Sequence, residues 1–163
     1  MGKAHSEGEM ITPPDTLRKK VGGRMGAASE AMIATAEAAI ADLSDNFDQW
    51  INDEMDKLET ARKTVNEEGI NGDAGQRLFN ASHDLKGLGT TYGYPLVSEI
   101  ADSLCTITLE KDVRAQAPMK LVNAHVDSIR ALINGHIKTS NHPVGQSLLK
   151  ELGTRAKAFL AGF

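Results

Sequence analysis

The chain has 163 residues, enough for one domain with a real core, and 40% hydrophobic residues with only 4% aromatics mean that Leu, Ile, Val, Ala and Met must build it. A net charge of -4 is too mild to argue for nucleic acid, and no apolar run approaches the ~20 residues that span a bilayer. The single cysteine, Cys105, cannot form an internal disulfide, and no signal peptide is visible, so a reducing cytoplasm is the expected compartment.

Residues 1–26 are rich in Gly, Pro and charge and read as a mobile N-terminal arm, ahead of one helical domain over 27–163. Its basic cluster, Arg18, Lys19, Lys20 and Arg24, is suited to an acidic surface or simply to water. Residues 27–43 are alanine-rich and helical by propensity, with Met32, Ile33, Ala36, Ala39, Ile40 and Leu43 as an apolar stripe. Ser44-Asp45 reads as an N-cap for a second helix, with one continuous helix as the alternative. From Asn46 to Glu67, Phe47, Trp50, Ile51, Met55, Leu58 and Val65 recur at helical spacing and are expected in the core. Residues 68–72 form a turn, after which Asp73 is placed to cap a helix over 73–91.

That helix carries the chemistry. At roughly 100° per residue, Leu78, Ala81, Leu85, Leu88 and Tyr92 fall on a core-facing stripe. His83 falls on the opposite face with Gln76, Phe79, Asn80, Lys86, Gly87 and Thr90. Gly87 and Gly89 each cost a helix about 1 kcal/mol relative to alanine, which points to a need for clearance beside the histidine. A neutral imidazole is a nucleophile near pH 7. Imidazole, clearance and the Lys86 cation together suit transfer of an anionic group, most simply phosphoryl. Gly93 closes the helix as a left-handed C-terminal residue, and Pro95 opens the next, over 95–109. Residues 110–116 read as a loop, 118–138 as a helix, Thr139–Pro143 as a break, and 143–160 as a last helix. With no strand pattern, the fold expected is all-α: an antiparallel up-down four-helix bundle (46–67, 73–91, 95–109, 118–138) with one or two flanking helices. The stripes look consumed by one bundle, so a monomer is expected.

The string His83-x-Leu85-Lys86-Gly87, with Gly93 ten residues after the histidine, resembles the motif of histidine-containing phosphotransfer (HPt) domains. The resemblance covers about residues 28–138. Asp84 departs toward the His-Asp-Leu-Lys box of sensor-kinase dimerisation helices, but Gly87 after Lys86 favours the phosphotransfer module. The resemblance implies that His83 is the phosphoacceptor through Nε2. Its partners would be response-regulator receiver domains and a hybrid sensor histidine kinase. Lys86 would offset phosphoryl charge, and Gln76, Phe79, Asn80, Gly87 and Thr90 would meet the partner. One imidazole nitrogen attacks while a hydrogen bond holds the other. No cofactor is expected on this chain; Mg²⁺ belongs on the partner receiver.

Other readings are weaker. The histidines His5, His83, His125, His136 and His142 form no H-x-x-x-H pair and no Glu-x-x-His, so a metal site lacks its ligands. His125 and His136 border the apolar stripe of their helix and read as packing or interface residues. His83-Asp84 matches the HD dyad of phosphohydrolases, but the only upstream histidine, His5, lies in the arm. No G-x-x-x-x-G-K-[ST] loop is present, so the expectation is a phosphocarrier with no ATP-binding site and not a kinase. The alternative of another class is a helical adaptor that docks signalling partners without phosphorylation.

Overall fold

A computed structural model describes residues 27–163. Among the described residues there are six helices and no strand: α1 (Ala27–Glu68), α2 (Gly72–Leu88), α3 (Pro95–Thr108), α4 (Lys111–Arg114), α5 (Met119–Asn134) and α6 (Pro143–Leu160). The fold is therefore all-α. None of these helices is long and apolar enough to cross a membrane. The chain divides into two units, Met1–Ala41 and Asp42–Phe163, with α1 contributing to both. The arm expected over 1–26, with its basic cluster, lies outside the described residues.

In the second unit α3 is the central element. It packs along α2, α5 and α6, and Leu96, Val97, Ile100, Ala101, Leu104 and Ile107 are all fully buried. Gly145 of α6 lets that helix sit close to α3: a Cβ there would collide with Leu96 Cδ1. From α1, Ile51, Met55, Leu58, Ala61 and Val65 enter the core at helical spacing. Ion pairs join α1 to α5, Arg62 with Asp127 and Arg130 with the buried Glu59. Residues of α1 and α2 line a shared groove, with Asp53, Lys57 and Thr60 facing Arg77, Asn80 and Asp84.

Several expectations are corrected. Ser44 and Asp45 start no new helix: they lie inside α1, so the alternative of one continuous helix holds. The stripe of Met32, Ile33, Ile40 and Leu43 is exposed, so the premise that every apolar stripe is consumed fails there. Trp50 is a surface residue, 38% exposed, packed at tilted ring angles in a cluster with Phe47 and Tyr92. Asn71, not Asp73, is the N-cap of α2; Asp73 sits in the first turn, where its charge complements the helix dipole. The supposed loop at 110–116 contains the short helix α4, whose Arg114 is buried and donates to the Thr108 carbonyl at 2.9 Å.

Helix α5 stops at Asn134 instead of 138. His136 takes a positive φ of 49°. Its N–H donates to the Ile133 carbonyl at 3.0 Å, and the Ile137 N–H to the Leu132 carbonyl at 2.9 Å. This is the paired bonding of a Schellman ending, with a histidine where glycine is usual.

Candidate functional site

Helix α2 is anchored by Ala74, Leu78, Ala81, Ser82 and Leu85, all buried. Ser82 satisfies its hydroxyl by donating to the Leu78 carbonyl at 2.7 Å, which lets a polar residue occupy the core face. Burying that face turns the opposite one outward, and His83 is exposed on it. Gln76, Asn80, Lys86 and Gly87 are exposed with it, and Phe79 is half-buried. The Phe79 ring lies one turn before the imidazole, with centroids 6.0 Å apart and planes inclined by 37°. That contact orients the ring. Among the described residues no hydrogen bond holds either imidazole nitrogen, so the expected second-nitrogen partner is not found there.

The two glycines have different jobs. A Cβ on Gly87 would meet no atom within 4 Å, so the surface one turn beyond His83 is open. A Cβ on Gly89 would lie 2.7 Å from Ser98 Oγ and 2.9 Å from Ser98 N. Gly89 is therefore buried for close packing of α2 on α3 and not for clearance at the imidazole.

Lys86 is not a free cation. Its Nζ lies 2.6 Å from Asp102 Oδ1 on α3. The hydrogen bond and charge of Asp102 raise its pKa further. Thr90 is likewise tied: its N–H and its hydroxyl both donate to Ser98 Oγ, at 2.8 and 3.0 Å. Gln76 donates to Asn80 Oδ1 at 3.0 Å, forming a polar pair along the same face. Asp84 lines the groove toward Lys57 and is not paired with His83.

Gly93 has φ +86°. Its N–H donates to the Thr90 carbonyl at 3.1 Å, and the Tyr94 N–H to the Gly89 carbonyl at 2.7 Å. The regular helix thus ends at Leu88, and further turns carry the chain to the glycine that reverses it. Tyr94, the residue just before α3, is fully buried. Its hydroxyl donates to Asp48 Oδ1 at 2.9 Å, and the same oxygen accepts from Lys138 at 2.8 Å. Burial first, and Asp48 second, push the phenol pKa up to about 12.

His125 is fully buried, with Nδ1 2.8 Å from the Leu121 carbonyl and Nε2 3.0 Å from Ser103 Oγ. The carbonyl can only accept, so Nδ1 carries the proton and Nε2 accepts from the serine hydroxyl. Cys105 is also buried, and desolvation pushes its thiol up to about 11, so it is no nucleophile. Among the described residues no group of three or more His, Cys, Asp or Glu is placed to hold a metal ion.

No family model, no curated protein and no solved structure matches this chain.

Proposed function

We propose that this chain is a histidine phosphocarrier in which His83 shuttles a phosphoryl group between receiver-domain aspartates. The observation that carries it is an exposed imidazole, steadied by Phe79, beside a Gly87 with open space around it. A flat, accessible nucleophile suits a donor that arrives as part of another protein and must bring its own active-site loops close.

Nε2 of His83 attacks the phosphorus of a receiver's aspartyl phosphate. The N–P bond forms as the P–O bond to the aspartate breaks, and the carboxylate leaves with the bonding pair. The reverse reaction delivers the phosphoryl group to a second receiver. Lys86 supplies positive charge at the rim as the phosphoryl oxygens take on negative charge. Gln76 and Asn80 offer amides to the partner, and Phe79 with Gly87 offers a low, partly apolar patch. Mg²⁺ would sit on the receiver. The upstream donor would be a hybrid sensor histidine kinase, in the cytoplasm where receivers work. For the fold, we assign α2, α3, α5 and the second-unit part of α1 to an up-down four-helix bundle, with α6 flanking.

The test is to mix a phosphorylated receiver with the protein. An acid-labile, alkali-stable label is expected, lost in His83→Gln at unchanged helicity. Label that survives in that variant moves the site elsewhere. A protein that binds receivers but never takes label is the adaptor instead.

A further inference from the structure

A cavity of about 240 Å³ opens where α4 meets the start of α2, lined by Asn71, Gly72, Asp73, Gln76, Lys111 and Arg114. Arg114 is only 3% exposed, yet no carboxylate pairs with it among the described residues. Its Nη1 donates to the Thr108 carbonyl at 2.9 Å and, at 3.4 Å, to Gln76 Oε1. Its Nε and Nη2 make no hydrogen bond among the described residues. Gly75 lets the guanidinium lie against α2: a Cβ there would be 3.0 Å from Nε. A buried cation without a counter-charge is costly, and so are buried donors without acceptors. An anion in the cavity would offset both costs.

We propose that this cavity binds phosphate, as the free ion or as the phosphate group of a small monoester, on Arg114, Lys111 and the first turn of α2. Lys111 is exposed on the same lining and adds a second positive charge. The third contribution comes from α2 itself, a helix of 17 residues. Asn71 precedes it in an extended conformation, and its side chain makes no capping bond. The first-turn N–H groups and the positive end of the helix dipole are therefore open to an outside acceptor. Asp73 also lines the cavity and opposes an anion, but the two cations outnumber it.

A guanidinium fork, an ammonium and backbone N–H groups border one space. Three kinds of donor suit a tetrahedral ion, which offers an acceptor oxygen to each, better than a planar carboxylate with two. The cavity is smaller than the roughly 300 Å³ at which sites for drug-sized ligands begin, so a bulky ligand does not fit. The inference does not rest on the role of His83, because here phosphate is bound and not transferred.

The test is an amide chemical-shift titration of the full chain with inorganic phosphate, against sodium chloride at equal ionic strength. Saturable shifts at Gly72, Asp73 and Ala74 are expected, half-complete at about 1 mM or below. Arg114→Gln should abolish them. Lys111→Gln tests the site from the surface without touching the core, and should weaken binding about tenfold. Asp73→Asn should tighten it several-fold by removing the opposing charge, and His83→Gln should leave it unchanged. Glycerol 3-phosphate is the second probe: tighter binding than inorganic phosphate identifies a monoester as the ligand, and equal or weaker binding identifies the free ion. Shifts that rise without saturating, or that chloride reproduces, overturn the proposal. So does saturation unaltered in both Lys111→Gln and Asp73→Asn, which marks an adventitious ion only. A phosphoserine peptide that binds more than about tenfold tighter than either probe assigns the site to a protein partner and overturns it too.

Discussion

Lys86 and Asp102 each stand eight residues from Tyr94, and their charged groups meet at 2.6 Å across the α2–α3 hairpin. The cation beside His83 is thus held by an anion on the neighbouring helix. Lys86→Ala should slow phosphoryl transfer about tenfold, since one charge stabilising the transition state is lost. Asp102→Asn should not slow it, because the cation is then released toward the incoming group. Single-turnover labelling of both variants checks this, with circular dichroism expected to be unchanged.

Gly87 and Gly89 should respond oppositely to the same change. Gly87→Ala gains helix propensity in open space and should stabilise the fold by up to about 1 kcal/mol. Gly89→Ala drives a methyl into Ser98 and should destabilise by about 1–3 kcal/mol. Urea melts measure both. A bulkier residue at Gly87, such as Gln, should slow transfer from a receiver while leaving the melt close to wild type.

His125 makes stability depend on pH. Burial holds its pKa below the ordinary histidine range, against a smaller opposing effect from the Leu121 carbonyl. Above about pH 6.5 the ring is neutral in both folded and unfolded chains, and its contribution is fully present. As pH falls below that value the unfolded chain binds the proton first, and stability drops until the folded-state pKa is reached, by at most about 1.4 kcal/mol per pH unit. Urea melts between pH 7 and 5 should show this slope, and His125→Gln should flatten it.

Tyr94→Phe removes a donor to the Asp48 carboxylate and should cost about 1–3 kcal/mol. In an ultraviolet titration of the wild type, one of the two tyrosines should ionise only near pH 12 or on unfolding. That step should be missing in the variant.

Much of α2 was legible because its pattern is strongly periodic. Leu78, Ala81 and Leu85 fix the buried face, and the position of His83 follows from theirs. The partners of the exposed residues depend on register between helices, which no single helix encodes. Here the turn at Gly93 supplies it: Thr90 and Ser98 are each four residues from Tyr94, as Lys86 and Asp102 are each eight. Folding the sequence about that turn pairs them, a step that helical wheels alone omit. The exposure of the row at 32–40 does not follow from the sequence, because periodicity marks an apolar face without saying what covers it. The end of α5 is not legible in the sequence because His136 fills a left-handed position usually marked by glycine.

The bond from Tyr94 to Asp48 has a mechanical meaning. The residue just after the α2 reversal is locked to α1, and through Lys138 to the segment that follows α5. Sliding or rotating α2 would tear a buried phenol from a carboxylate. The helix that carries His83 is thereby moored at its C-terminal end.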